Sequence, residues 1–366
     1  MLLICGTVPL ENISLINGEA EFSGDQLIVG DHVISCTQGT TALVSAACLT
    51  AAYLQKSPPH VVLAGDTGSG KGSKMLYDYL SNNLPWLAPD VLVLHYILPV
   101  MGLMKKVTAA AEKCGKKPIM IADASSMYAA KAAGLAPVFD IFTPDLSEMA
   151  FLADPAAIHP AYISRHLFRT EIAQAPQLVT SAYKHKNAAK TLLIKGATDY
   201  VAQDGRIIGT LSEPDIPAME AIGGTGDTIS GMIGAFIFAG MNHCDAVLHA
   251  AKTNRLAGEY AQAKPATKVR DIVSALPEAL NNILINWGKK EDFMTEIDVR
   301  GLGCPIPVVK TKEAMDKNPA DQIIIFVETE VSKENISRLA AMRKYSVKAE
   351  QTANEEYRLV LTPALQ

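Results

Sequence analysis

Gly223-Gly224-Thr225-Gly226-Asp227-Thr228-Ile229-Ser230-Gly231 stands directly before the apolar run Met232 to Ala239. Glycines let the chain turn tightly and aim successive N–H groups at one point, and a helix starting there adds partial positive charge. Together these make an anion hole. Asp227 would repel a phosphate if an anion were the sole visitor. It makes sense as a base that takes a proton from a hydroxyl while the hole steadies a phosphoryl group. The plainer reading is an Asp that caps a helix after a glycine turn. It is the weaker one, because so many residues of the right kinds adjoin.

The second chemical signal is Asp298-Val299-Arg300-Gly301-Leu302-Gly303-Cys304-Pro305-Ile306-Pro307. Cys304 would sit at a helix N-cap, with Pro305 at the first helical position. The helix dipole and free N–H groups there favour thiolate over thiol. An exposed thiolate of lowered pKa can take up and release a sulfur atom as a persulfide. Cys5, Cys36, Cys48, Cys114 and Cys244 form no Cys-x-x-Cys pair, lie mostly in apolar runs and read as packing.

Three other segments carry weaker signals. Gly65-Asp66-Thr67-Gly68-Ser69-Gly70-Lys71 has the outline of a P-loop, but Gly72 stands where the Mg²⁺-binding hydroxyl belongs. It reads as a glycine-rich connection from strand to helix. His243-Cys244-Asp245 with His249 matches no regular zinc spacing and reads as packing. The stretch from Ile158 to His166 looks like an added helical piece with a solvated cationic face.

The glycine loop resembles that of the ribokinase superfamily, and more narrowly that of the ADP/ATP-dependent NAD(P)H-hydrate dehydratases. Three segments fit the same family in order. Ala122-Asp123-Ala124-Ser125-Ser126 resembles its Asp-Ala-Asp-Ala turn, and Thr143-Pro144-Asp145-Leu146-Ser147-Glu148 its Thr-Pro-His-Pro-Gly-Glu. Leu193 to Thr198, followed by Asp204-Gly205-Arg206, resembles the strand and hairpin that bear its adenylate contacts. The likeness covers most of residues 28 to 285. It implies that ADP or ATP, with Mg²⁺, phosphorylates the hydroxyl of hydrated NADH or NADPH, and that loss of phosphate then restores the dinucleotide. By position, Lys195, Gly196, Ala197, Thr198 and Asp199 would line the nucleotide together with Gly223, Gly224, Thr225 and Gly226. Asp227 would be the base, and Asp123, Asp145 and Glu148 would face the substrate.

Two substrate-side segments depart from the family. Its Thr-Pro-motif histidine is Asp145 here, and its Gly-Pro-Gly-Leu-Gly loop is His95-Tyr96-Ile97-Leu98-Pro99. The nucleotide half is kept while the substrate half is altered. A kinase acting on another hydroxylated small molecule, or a non-catalytic nucleotide-responsive partner of a sulfur carrier, therefore stands beside the dehydratase reading. The tail resembles TusA/SirA-type sulfur-carrier domains almost end to end, through Arg300-Gly301-Leu302-Gly303-Cys304-Pro305-Ile306-Pro307 and the helix bearing Lys310-Thr311-Lys312. That likeness makes Cys304 the sulfur acceptor and implies a sulfur-donor or sulfur-acceptor protein as partner.

The elements that must hold these residues follow from periodicity. His60 to Ala64, Val91 to Leu94, Ile119 to Ala122 and Thr191 to Ile194 are short, apolar, strand-like runs. Between them Thr41 to Leu54, Lys74 to Leu80 and Met101 to Lys113 read as helices. Such alternation predicts an α/β sheet whose ligands bind beyond the carboxyl ends of its strands. In the tail, strands are expected at Thr295 to Val299, Gln322 to Glu328, Ser346 to Glu350 and Tyr357 to Leu361, with helices at Pro305 to Met315 and Ser332 to Lys344. The expected whole is a ribokinase-like three-layer α/β/α domain over residues 1–288, a linker at 289–293, and a small two-layer α/β sandwich over 294–366.

Composition sets the outer limits. The chain has 366 residues, 49% hydrophobic and 19% charged, enough for a core and against disorder. A net charge of −5 gives no electrostatic support for nucleic acid. No apolar run is long enough to span a bilayer, and Glu11 follows Met1-Leu2-Leu3-Ile4-Cys5-Gly6 too soon for a signal peptide. Unpaired cysteines suit a reducing cytoplasm. A homo-oligomer is expected.

Overall fold

The structure, a computed structural model, describes residues 1–11, 13–157, 175–285, 294–303, 305–317, 322–351 and 356–363. It divides into two compact units, Met1–Ile285 and Asn286–Gln366. The linker expected at 289–293 and the helical piece expected from Ile158 to His166 lie outside the described residues.

The first unit opens with β1 (Leu2–Val8), β2 (Ile16–Ser23), β3 (Gln26–Val29), β4 (His32–Ser35) and α1 (Thr40–Tyr53). Strands and helices then alternate: β5 (His60–Gly65), α2 (Lys71–Leu87), β6 (Val91–His95), α3 (Met101–Glu112), β7 (Ile119–Asp123), α4 (Ser125–Ala132), β8 (Ile141–Phe142), α5 (Leu146–Ala153) and α6 (Ala175–Lys184). They are followed by β9 (Thr191–Ile194), β10 (Asp199–Gln203), β11 (Arg206–Leu211), α7 (Thr225–Phe238), α8 (His243–Tyr260) and α9 (Val269–Leu284).

One sheet runs in the order β11-β10-β9-β8-β7-β6-β1-β5-β2-β3-β4. The strands from β9 through β5 pair in parallel, and antiparallel hairpins extend both edges. Every residue of β1 is buried, as a strand covered on both faces requires. Its side chains alternate between two cores. Leu2 and Ile4 pack with α1, α7, α8 and α9, while Leu3 and Cys5 pack with α2 to α6. That division makes three layers. In the sequence, the Leu2–Val8 run of β1 carries no mark of its place in a sheet.

Three local features aim the site. Asp204 and Gly205, with φ of 49° and 77°, join β10 to β11 as the two-residue turn that an Asp-Gly pair favours. Gly224, at φ 101°, starts α7 in a left-handed conformation that other residues resist. Gly231 lies where α7 meets α1: a Cβ there would sit 2.0 Å from the Leu43 carbonyl oxygen. The two helices therefore touch backbone to backbone, and both bring their N-termini to the same end of the sheet as the carboxyl ends of β6 and β7.

The second unit comprises β12 (Met294–Asp298), α10 (Ile306–Lys317), β13 (Gln322–Val327), α11 (Glu330–Met342), β14 (Tyr345–Gln351) and β15 (Tyr357–Pro363). The sheet order is β12-β13-β15-β14, with β12 and β13 parallel. Ile323, Ile325 and Val327 alternate inward and meet Ile336 and Ala340 of α11. This is the two-layer sandwich that the tail's pattern predicts. Cys304 lies outside the described residues; α10 begins just beyond it, with the Ile306 N–H donating to Gly303 O.

Candidate active site

Asp227 occupies the third position of α7 and is held from two sides. Its Oδ2 accepts from the Gly39 N–H at 2.8 Å, just before α1. Its Oδ1 lies 3.0 Å from His95 Nε2, at the end of β6. Burial works to raise the Asp227 carboxyl. The hydrogen bond and charge of His95, the Lys195 ammonium and the Gly39 N–H outweigh it and hold the group below its ordinary value. The first amides of a helix lack intrahelical acceptors, so the start of α7 faces the same space with donors.

Beside it lies a buried polar line. Asp123, 1% exposed at the end of β7, accepts from Lys195 Nζ at 3.0 and 3.2 Å, from Ser230 Oγ at 2.6 Å and from its neighbour Ala124 N–H at 2.8 Å. Thr143 Oγ1 and Ser230 Oγ are 2.8 Å apart. Burial disfavours the Lys195 charge, but the carboxylates of Asp123, Glu148 and Asp227 more than restore it and raise the ammonium above its usual value. A Cβ on Gly226 would stand 3.5 Å from Lys195 Nζ, in ordinary contact, so the helix start runs alongside that charge.

The turn from Lys195 to Asp199 is set by a residue that sequence reading missed. Arg255 of α8 donates to Asp199 Oδ2 at 2.8 Å and to the carbonyls of Gly196 and Ala197 at 2.9 Å each. The Gly196 N–H donates to Asp199 Oδ1 at 3.1 Å. Arg255 is 8% exposed. Its sequence signal is one arginine in the stretch Ala250 to Gly258, which also holds Lys252, and is faint.

A cavity of about 650 Å³ joins these groups. It is lined by Asp123, Asp145 and Glu148, by Lys195 to Asp199, and by Gly224 to Asp227. Tyr96 forms part of the wall. Gly223 backs the lining instead of joining it; a Cβ there would lie 2.4 Å from Gln38 Oε1. Asp145 caps α5: it accepts from the Glu148 N–H at 2.7 Å, while Glu148 accepts from the Asp145 N–H at 2.9 Å. Glu148 also accepts from the Tyr128 hydroxyl at 3.0 Å. Burial, with the Asp123 and Asp145 charges, pushes the Glu148 carboxyl up to about 8 although Lys195 opposes the shift.

His95, Asp123 and Asp227 place three ligand atoms within 4.8 Å of one another. Within the chain, Lys195 Nζ lies 3.0 Å from Asp123 Oδ1 and His95 Nε2 lies 3.0 Å from Asp227 Oδ1. The P-loop-like segment is filled from within. Asp66 accepts from the N–H groups of Gly68, Gly70 and Ser73 at 3.0 Å each, where a true P-loop would place phosphate. On α8, the His249 Nδ1–H donates to Asp245 O at 2.7 Å and its ring packs edge-on against Phe236.

The fold and the family matches define an α/β enzyme domain of the lyase or kinase type, joined to a small sulfur-carrier-like domain. The family model for NAD(P)H-hydrate dehydratase matches residues 14–278, and that for sulfurtransferase TusA matches residues 295–362. The chain belongs to the NAD(P)H-hydrate dehydratase family. An uncharacterized protein of Methanocaldococcus jannaschii is 36% identical over 242 residues, 66% of this chain and 100% of that protein. A bifunctional NAD(P)H-hydrate repair enzyme of Hyperthermus butylicus is 36% identical over 104 residues, 28% of this chain and 19% of that enzyme. The crystal structure of an ADP/ATP-dependent NAD(P)H-hydrate dehydratase from Bacillus subtilis, co-crystallized with ATP and Mg²⁺, is 13% identical, with a TM-score of 0.44. The match covers 66% of this chain and 84% of that one.

Proposed function

We propose that the first unit binds ADP or ATP between the Lys195–Asp199 turn and the start of α7, and phosphorylates the hydroxyl of hydrated NADH or NADPH. Loss of phosphate then re-forms the dinucleotide. The polyphosphate would meet the α7 amides and Lys195, and Mg²⁺ would accompany the nucleotide's own oxygens. The carrying observation is the Asp227 carboxylate: it is kept ionised, lies at a helix N-terminus, and lines the cavity beside the proposed nucleotide turn. As the hydroxyl oxygen bonds to phosphorus, its proton passes to Asp227. A phosphotransferase that stops at the ester is the second reading, favoured by Tyr96 walling the cavity where the family has a glycine loop.

In the second unit, Cys304 would carry sulfur as a persulfide received from a donor protein and passed to an acceptor. The family match over residues 295–362 supports this.

Two measurements test the first unit. Millimolar ADP or ATP with Mg²⁺ should raise the melting temperature, because a ligand of the native state stabilises it by mass action. Asp227→Asn should keep that shift and lose about 10²–10⁴-fold in turnover of hydrated NAD(P)H. No thermal shift removes the nucleotide reading. An Asn variant as fast as the wild type removes Asp227 as base.

A further inference from the structure

His95 is fully buried, yet both ring nitrogens are engaged, one of them with the proposed base. The bonding order can be worked out from donors and acceptors alone. The Thr7 carbonyl can only accept, so the single hydroxyl proton of Thr40 goes to it, at 2.6 Å. Thr40 Oγ1, 2.9 Å from His95 Nδ1, must then accept, and Nδ1 carries a proton. Nε2 is left to face Asp227 Oδ1 at 3.0 Å. The Thr7 hydroxyl meanwhile donates to Tyr96 O at 2.7 Å and pins the turn that follows His95.

We propose that His95 is the positioning residue through which Asp227 acts: the line Thr7–Thr40–His95 engages the Nδ1–H, orients the ring and presents an Nε2–H to Asp227 Oδ1. This rests on the functional reading above. The imidazole takes up Oδ1, the Gly39 N–H takes one lone pair of Oδ2, and the other lone pair of Oδ2 is left for the substrate hydroxyl. His95 forms no bond to substrate. When the hydroxyl O–H breaks, its electron pair forms the O–P bond and its proton joins Oδ2, while Nε2 keeps its own.

The bland alternative is a core histidine satisfied by chance neighbours. Its surroundings argue otherwise. The charged groups around it are Asp227 on α7, Asp123 on β7 at 4.0 Å, and Lys195 after β9, which bonds Asp123. Tyr96 abuts the ring edge-on. Thr7 of β1 and Thr40 of α1 are neutral, and Glu148 of α5 interacts with the charge of Lys195. One carboxylate, Asp123, is already matched by the ammonium, so the imidazole is left to serve the other. A hydrogen bond in such a dry place is strong and directional.

The experiment is long-range ¹H–¹⁵N correlation on the full chain labelled with ¹⁵N-histidine, with His95 assigned sequentially through Leu94 and Tyr96. At pH 7 the wild type should show protons on both ring nitrogens, and Asp227→Asn on Nδ1 alone. Thr40→Val should weaken the Nδ1 proton signature, and Thr40→Ser should restore it. In turnover, Thr40→Val should lose about tenfold in kcat, the worth of one oriented hydrogen bond. Its nucleotide KM should hold, its acid limb should move to higher pH, and Thr40→Ser should recover. A bare Nδ1 in the wild type, or an unchanged His95 in Asp227→Asn, overturns the proposal. If the wild type turns over no hydrated dinucleotide, the proposed reaction fails, and the spectra still decide the Nδ1 proton and the Asp227 contact.

Discussion

Lys195→Met offers the sharpest test of how the site is held together. The side chains of Lys195 and Asp123 are 13% and 2% exposed, with Nζ 3.0 Å from the carboxylate. Deleting one partner of such a pair strands a buried charge, at a cost of about 3–5 kcal/mol. Asp123 keeps its bonds from Ser230 and Ala124, and it can take up a proton, so the lower end, about 3 kcal/mol, is expected. For a unit of this size that is a fall of roughly 6–12 °C in melting temperature. Asp123→Asn should cost less, about 2 kcal/mol, because Lys195 retains the charge of Asp227. The double variant strands neither charge. It should be less destabilised than the sum of the two by at least about 1.5 kcal/mol, within the usual range for contacting residues. Calorimetric unfolding of the full chain and its three variants reads all four corners. Additivity within about 0.5 kcal/mol would refute the coupling between Asp123 and Lys195.

Two further outcomes follow from the carboxyl and thiol environments. Glu148 binds its proton more tightly folded than unfolded, its pKa raised from 4.5 to about 8, so its contribution to stability is full below pH 4.5 and lost as pH rises through 8. Glu148→Gln should therefore flatten that part of the melting-temperature profile and gain on the wild type above pH 8; parallel profiles would count against it. Cys304 should be alkylated at pH 7 faster than any other cysteine and should gain one sulfur atom from a cysteine desulfurase, read by mass spectrometry and absent in Cys304→Ser. Burial raises the thiols of Cys5, Cys36, Cys48, Cys114 and Cys244, so dominant labelling of one of these would leave the tail as an interaction module only.

What the sequence determined was local. The run Thr191–Ile194 is a strand over the span its pattern predicts, and Asp204-Gly205 makes the turn its residue types favour. Gly224 to Asp227 start a helix where glycine chemistry says one should start. Each outcome depends on neighbours a few residues away, and propensity, period and turn geometry act over that range. Tertiary structure decided everything that depends on strand order. His95 was visible only as a departure from a glycine loop. It meets Asp227 across 132 residues because β6 lies beside β1 and α7 packs against α1. Arg255 reaches Asp199 across 56 residues because α8 lies against the same layer as α7. The Gly65–Lys71 loop had the outline of a phosphate site until folding turned Asp66 into its own nest. Burial then set the charges: a carboxyl such as Glu148 has an ordinary affinity for protons until the packed sheet removes its water, and no pattern along the chain records how much water is lost.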